Sequence, residues 1–557
     1  MKEAVLQAGC AAAIVAAAAA LRLARLDHRP MHGDEAVQAV KFGRLLEHGE
    51  WIYDPREYHG PSLNLLTLPV ARVAGARNLE EVTEVELRLV PAACGIALVA
   101  LTWMVRRELG PGAALTAAAL AALSPAMVFY SRYYIQETLL VLFSFTAMAA
   151  LWRSVDCVVP HPSLEGSEAE CPLAAASTAR ALAAAAWLAV LGISIGMMHA
   201  TKETCVIPLG AMAVAAAVTM PWPRKLGRSR GAASCALVLL LAAAVSAVCF
   251  SSLWRHPAGI ADSYRAFLHY GARASGQGSA GQHAYPWYQY FLVFFWWKHG
   301  GGPVWSELPI ALLALVGAVS AARRSGRGAA MRRGARFLVV YTFMMAAVYS
   351  AIPYKTPWCG LGFLHGMILL AGVGAAALVR AAPRTSLKAA AIALAAAGLV
   401  HLGRQAWRAS FAAADDPRNP YVYAHTSRDV LALVDEVARI AAHHPAGREL
   451  HIQVVCPDHD YWPLPWYLRR FRRIGWFGGI PGGPPAPLVI TQPSMERHLV
   501  QYFYDTPPPG ERQLYVRIPR GEAGGEWLLR PHVPLQVYAT LELRDAWRAA
   551  GSGGDRP

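Results

Sequence analysis

"RRSGRGAAMRRGAR", residues 323–336, is the most basic run in the chain, and it lies between two apolar runs, 303–322 and 336–352. What that placement means decides the fold. The chain has 557 residues and a formal net charge of +15, which raises nucleic acid as a partner. Yet only 16% of its residues are charged, against about a quarter in a typical soluble protein, and 55% are hydrophobic. The other basic groups repeat the pattern. "RR" at 106–107, "RKLGRSR" at 224–230, and Arg380, Arg384 and Lys388 all fall between apolar runs. A membrane protein keeps its cytoplasmic charge in such short loops. The basicity therefore points to a multi-pass membrane protein and away from nucleic-acid binding.

A crossing helix needs about 20 mostly apolar residues. Segments 4–24, 86–105, 112–130, 134–152, 180–198, 203–220, 233–253, 303–322, 336–352, 361–380 and 387–403 qualify. With the amino terminus inside, these eleven spans put every basic cluster on the cytoplasmic side. The first reads as an uncleaved span, because Arg22 and Arg25 follow its apolar run where a signal peptide has its charge in front. "YPWYQYFLVFFWW" (285–297) is short and rich in Trp and Tyr, and as a span it would turn the most basic loop outward. It is read as a helix lying on the outer surface. The acidic loop at 154–179 is read as cytoplasmic.

An odd number of spans leaves the tail outside. Residues 1–403 form the transmembrane domain, with a long first outer loop at 25–85, and residues 404–557 form a second domain. In the tail, "RDVLALVDEVARIAAHH" has helical periodicity, "ELHIQVVCP" and "APLVITQ" read as strands, and "DYWPLPWYLRRF" reads as a short helix between them. The expected fold is an α-helical polytopic membrane protein of about eleven transmembrane helices with a small C-terminal extracytoplasmic α/β domain. The final "GSGGDRP" is expected to be disordered. Of nine cysteines none forms a CxxC pair, and Cys10, Cys94, Cys205, Cys235, Cys249 and Cys359 lie in or near apolar segments. They read as small core residues rather than a disulfide framework or a zinc site.

The topology sorts the polar residues. "MHGDEAVQAV" (31–40) opens a helical pattern in the first outer loop, with Asp34 and Glu35 in its first turn. An acid there favours the helix dipole and caps free amides, which accounts for one of the two. "YSRYYIQETLL" (130–140) carries Arg132 at the surface and Glu137 inside the start of a span. A carboxylate there marks a functional site unless a cation pairs with it structurally. "HATKET" (199–204) and "IPYKTPW" (352–358) put Lys202 and Lys355 at outer ends of spans, where a single lysine reads as snorkelling. Together the six residues fall at one depth. Acids and cations gathered at a lipid–water boundary suit a particular chemistry, in which cations hold a lipid-linked phosphate while a carboxylate deprotonates an acceptor. His59 in "YHGPS" is a weaker member, and Tyr133 beside Arg132 is a further substrate-binding candidate.

The ordered set "DEA", "HGPSL" and "SRYYIQETLL" resembles the GT-C membrane glycosyltransferases, and most of all the protein O-mannosyltransferases and their prokaryotic relatives. "MHGDEAVQAVKFGRLLEHGEWIYDPREYHGP" and "DYWPLPWYLR" resemble a prokaryotic subgroup named for archaeal flippase-associated proteins of glycosylation. The likeness covers about residues 20 to 400 and part of the tail. It implies a GT-C fold, a polyprenyl-phosphate-sugar donor, a glycan, lipid or protein acceptor, and transfer outside the cytoplasmic membrane. It makes Asp34 the match to the catalytic acid, with Glu35 beside it, and Arg132 and Glu137 the match to the arginine and acid of the second motif. Some relatives hold a divalent ion, Mg or Mn, with acids from these loops. This sequence has no obvious third acid beside Glu137, and a metal stays open.

On these residues the expected reaction is an inverting transfer. Asp34 is the base, and Arg132, Lys202 or Lys355 stabilise the departing phosphate. The competing reading is a component that assists flipping of lipid-linked sugars. A transporter usually places polar residues near the bilayer midplane in repeated halves. Here the acids lie at the surface and no repeat is evident, which favours the enzyme.

Overall fold

The computed structural model describes residues 2–158, 173–220, 228–274, 283–323, 328–521 and 524–551. The apolar runs form helices because a backbone in lipid must satisfy its own hydrogen bonds. The chain starts with α1 (Lys2–Leu23). The loop after it folds into α2 (Gly33–His48) and α3 (Ser62–Val73). Next come α4 (Glu84–Met104), the single turn α5 (Arg106–Leu109), α6 (Pro111–Leu123), α7 (Pro125–Tyr130) and α8 (Glu137–Val158). They are followed by α9 (Leu173–His199), α10 (Val206–Thr219), α11 (Arg228–Phe250), α12 (Ala258–Ala274) and α13 (Gln289–Phe295). The last of this half are α14 (Leu308–Ala322), α15 (Ala329–Ala351), α16 (Leu361–Ala381) and α17 (Thr385–Trp407).

Eight helices among the described residues are long and apolar enough to cross a membrane. Three shorter apolar helices, Pro111–Leu123, Glu203–Thr219 and Leu308–Ala322, fall on the other three expected spans. Boundaries shift where charge was taken as a stop. α8 runs on to Val158 and α9 starts at Leu173, so both reach into the expected acidic loop. α15 starts at Ala329 and draws Arg332, Arg333 and Arg336 into the helix. The aromatic segment makes only the seven-residue α13, about 10 Å long, too short to cross. Tyr290, Val293 and Phe294 of α13 are buried while Trp287 and Trp296 beside it are exposed.

Small residues set the closest helix packing. A Cβ on Gly317 of α14 would stand 2.0 Å from the Leu370 carbonyl of α16, and one on Gly374 of α16 would stand 2.0 Å from the Leu313 carbonyl. Only glycine on both helices allows these backbones to touch.

The tail contains a sheet with order β2-β1-β3-β6-β4, and β5 pairs with β6. The strands are β1 (Ile452–Val455), β2 (Ile474–Phe477), β3 (Leu488–Thr491), β4 (Tyr515–Ile518), β5 (Trp527–Arg530) and β6 (Val533–Thr540). β1 pairs in parallel with β2 and β3, and β6 runs antiparallel to β3, β4 and β5. α18 (Asp429–Ala442) packs Val430, Leu433, Val437 and Ile440 on Ile452 and Val454, with α21 (Leu541–Gly551) adding Leu543. α20 (Glu496–Tyr504) covers Val455 and Val489 with Leu499, Tyr502 and Phe503. Alternate residues of β1 thus feed opposite faces, as a strand covered on both sides requires. The expected helix between β1 and β3 shrinks to α19 (Leu464–Tyr467). Strands β2, β4, β5 and β6 and helices α20 and α21 add to the expected elements. The terminal "GSGGDRP" lies, beyond its first residue, outside the described residues.

The tail sits on the first loop. Trp466 is fully buried among the residues of α2 and α3, and its indole Nε1 donates to Glu84 Oε1 at 2.8 Å. The Tyr467 hydroxyl accepts from the Met31 amide at 2.7 Å. Arg469 donates to the Leu79 and Val82 carbonyls.

Candidate active site

α2 positions the acids. Its N-cap is His32, whose Nδ1 accepts from the Asp34 amide at 3.0 Å, while Glu35 reaches back to accept from the His32 amide at 2.9 Å. A histidine therefore takes the place usually given to serine or threonine in a capping box. His32 is held in turn by its Nε2, 2.9 Å from the Tyr423 carbonyl at the start of the tail.

The two adjacent acids then part, since neighbouring helix residues point about 100° apart. Glu35 is fully buried. Its oxygens accept from Arg29 Nη2 (3.0 Å), Arg88 Nε and Nη2 (2.8 and 2.9 Å) and the Tyr134 amide (2.9 Å), besides His32. Burial alone would push its carboxyl up, but Arg88 and Arg29 outweigh burial and hold it well below the usual carboxylate range. Glu35 is a knot that ties α2 to α4 and to the turn before α8. Asp34 has a side chain that is 59% exposed and lines a cavity of about 300 Å³.

Val37, Gln38 and Lys41 line the same cavity, one, one and two turns on from Asp34 along one face of α2. The Lys41 ammonium donates to the Glu57 carbonyl at 2.8 Å and lies over the Tyr58 ring. Burial pushes it down to about 8. Sequence reading missed Gln38 and Lys41, although their spacing from Asp34 was the signal.

The "HGPS" stretch docks on the end of α9. A Cβ on Gly60 would stand 2.3 Å from the Ala200 carbonyl, and Ser62 bonds to that carbonyl and to the Thr201 hydroxyl, both at 2.8 Å. This puts His59 Nδ1 2.8 Å from Glu203 Oε2, while Tyr53 donates to Glu203 Oε1 at 3.1 Å. His59 lines the cavity. Glu203, whose role the sequence did not announce, orients it.

Glu137 and Lys202 form a buried ion pair on the opposite wall. Both also line a second, narrow apolar cleft of about 20 Å³, which runs down between α8, α15 and α16 past Leu140, Phe145, Met148, Met345 and His365. Its two methionines are adaptable side chains.

The cavity thus gathers Asp34, His59, Glu137 and Lys202, and leaves out Glu35, Arg132, Tyr133 and Lys355. Arg132 is turned the other way. Its Nη1 donates to the Leu21, Arg22 and Ala24 carbonyls at 3.1, 3.1 and 2.7 Å and its Nη2 to Arg25 at 3.0 Å, so it caps the carboxyl end of α1. Tyr133 is buried under the Arg29 guanidinium, 3.4 Å from its ring centre, with its hydroxyl 3.4 Å from His425 Nδ1. The Lys355 ammonium donates to the Ile352 carbonyl of its own turn. Arg132 and Tyr133 are taken up by carbonyls and side chains that no local motif shows, and Lys355 by a carbonyl of its own motif. Among the described residues no group of three or more His, Cys, Asp and Glu is placed to hold a metal ion. Glu137, the other acid of the expected set that lines the cavity, is paired with Lys202.

Three comparisons bear on this arrangement. The protein-family model described as dolichyl-phosphate-mannose-protein mannosyltransferase (PMT) matches residues 67–253. No curated protein matches the chain. Among solved structures, ArnT from Cupriavidus metallidurans, in the apo state and bound to undecaprenyl phosphate, is 15% identical, covers 95% of this chain and 98% of its own, and has a TM-score of 0.59. The archaeal oligosaccharyltransferase AglB from Archaeoglobus fulgidus, in complex with an inhibitory peptide and a dolichol-phosphate, is 13% identical, covers 89% of this chain and 70% of its own, and has a TM-score of 0.57. The chain has the GT-C fold of these polytopic proteins, as the motifs implied.

Proposed function

We propose that this chain, a PMT-like membrane glycosyltransferase with a GT-C fold, transfers a sugar from a polyprenyl-phosphate donor to a hydroxyl acceptor on the extracytoplasmic face of the cytoplasmic membrane. One observation carries the reading: a polar cavity with an exposed carboxylate, Asp34, meets an apolar cleft at a buried cation, Lys202. A donor with a lipid tail, a phosphate and a sugar has three such parts in the same order, its tail entering by parting the helices that line the narrow cleft. The PMT match and the lipid phosphates bound by ArnT and AglB agree with it.

In this mechanism Asp34 accepts the proton of the acceptor hydroxyl as its oxygen forms a bond to the anomeric carbon. The bond from that carbon to the phosphate oxygen breaks on the opposite face, so the configuration inverts and one carboxylate suffices. Polyprenyl phosphate leaves as an anion and needs no strong acid. Lys202 and Lys41 stabilise the charge that it gains. His59, oriented by Glu203, and Gln38 bind sugar or acceptor hydroxyls. The acceptor, whether glycan, lipid or protein, approaches from the side of the tail domain.

The test is transfer from a lipid-linked sugar by purified protein in lipid, with Asp34→Asn as control. Transfer by the wild type and its loss in the variant are expected. Movement of lipid-linked sugar across a bilayer, with no transfer to any acceptor class, would replace this reading by a transport component.

A further inference from the structure

Glu137 and Lys202 occupy the junction of the two spaces, since both side chains line the polar cavity and both line the apolar cleft. A lipid-linked sugar whose sugar lies in the cavity and whose tail parts the helices around the narrow cleft would put its phosphate there. The cation of the junction, however, is already taken. Lys202 is held by Glu137, and the two residues are only 7% and 5% exposed. A second group beside the junction, next to Glu137 in the chain, is unspent. Gln136 is 1% exposed and lines the cavity, and its side-chain Nε2 has no hydrogen-bond partner. A buried amide N–H without an acceptor is rare and costly in a finished site. It is a donor that no protein atom uses and that an incoming oxygen could take.

We propose that Glu137 is a stand-in counter-ion, displaced from Lys202 by the donor phosphate, which also takes the free amide of Gln136. The inference rests on the donor reading given above. A buried ammonium left without an anion is strongly destabilising, so the donor-free protein keeps one of its own at hand. When phosphate arrives, two anions compete for one ammonium, and their mutual repulsion expels the weaker ligand into the polar cavity that Glu137 already borders. The ion pair is a latch: it holds the empty site together and lowers the apparent donor affinity by the work of opening it. The same exchange gives the departing polyprenyl phosphate a route out, because returning Glu137 displaces it.

The experiment titrates undecaprenyl phosphate and, in parallel, undecaprenol into wild type, E137Q and K202M in lipid nanodiscs. Binding is read from the change in tryptophan fluorescence that Trp358→Phe abolishes, Trp358 lining both spaces, and from melting temperature. E137Q keeps the shape but removes the competing charge. It is expected to melt lower than wild type when empty, to bind the phosphate at least about tenfold more tightly, and to gain a larger melting shift at saturation. Its affinity for undecaprenol is expected to be unchanged, and K202M is expected to lose the preference for phosphate over alcohol. A merely structural pair would lower the empty melting temperature without tightening binding, and equal or weaker phosphate binding by E137Q overturns the latch. If E137Q does not fold, E137D, whose shorter arm loosens the contact, must shift affinity in the same direction, and equal affinity overturns the latch as well. A wild type that binds phosphate and alcohol alike sinks the donor reading itself, whatever the variants do.

Discussion

Glu35→Gln changes one atom and separates chemistry from architecture. Glu35 accepts five N–H bonds, two on Oε1 (Arg88 Nε and the Tyr134 amide) and three on Oε2 (Arg29, His32 and Arg88 Nη2). An amide in its place keeps one oxygen, so either two or three donors would face an NH₂ group. Two buried guanidiniums would also lose their only carboxylate at the knot. Removing one side of a buried pair typically costs about 3–5 kcal/mol, more than about a hundredfold in the ratio of folded to unfolded protein. We therefore expect Glu35→Gln to express poorly and to melt well below wild type, with any transfer activity lost in step with the folded fraction. Melting of the purified protein in lipid and turnover per folded molecule are the measurements. A Glu35→Gln protein that melts with wild type and yet cannot turn over would refute the argument and put Glu35 in the chemistry.

Asp34→Asn should show the opposite signature, with turnover down by roughly a hundredfold or more and an unchanged melt, because the side chain is 59% exposed and only its basicity is removed. Arg132→Ala should destabilise the protein by unfastening the end of α1 and leave the donor KM of the folded fraction near wild type; a raised KM with an unchanged melt would return Arg132 to the donor site. Lys41 carries its proton only below about 8 in the donor-free protein, so donor affinity should fall as pH rises through that value, and Lys41→Arg should hold affinity to higher pH. A flat binding profile from about pH 7 to 9 in wild type would remove Lys41 from the phosphate. A tag at the carboxyl terminus should be reachable from outside intact cells, and labelling only after permeabilisation would invert the topology.

What the sequence made legible was whatever is local. Each apolar run names its own helix because lipid demands internal hydrogen bonding, and the periodicity of 429–442 names α18. Asp34, His59, Glu137 and Lys202 were traceable because each stands out against its own segment. The partners of Arg132 were hidden for the complementary reason: the carbonyls it serves belong to α1, more than 100 residues earlier. β2 and β4 hid because four residues are too few to carry a period, and they become strands only through partners elsewhere in the sheet. Glu203 gains its meaning from His59, 144 residues away. Lys41 and Gln38, by contrast, were readable by helical arithmetic from Asp34.

The seat of the tail on the first loop has a consequence for biogenesis. The N-cap His32 leans on Tyr423, Met31 is clasped by Thr426 and Tyr467, and Trp466 completes the apolar packing beneath α2. These contacts join residues 391 to 436 positions apart. The segment that carries Asp34 is therefore synthesised well before the residues that support it. Until the tail is made, α2 lacks these supports and Asp34 has no fixed bearing toward the cavity. A chain cut short before Tyr423 would carry the acid without the contacts that aim it.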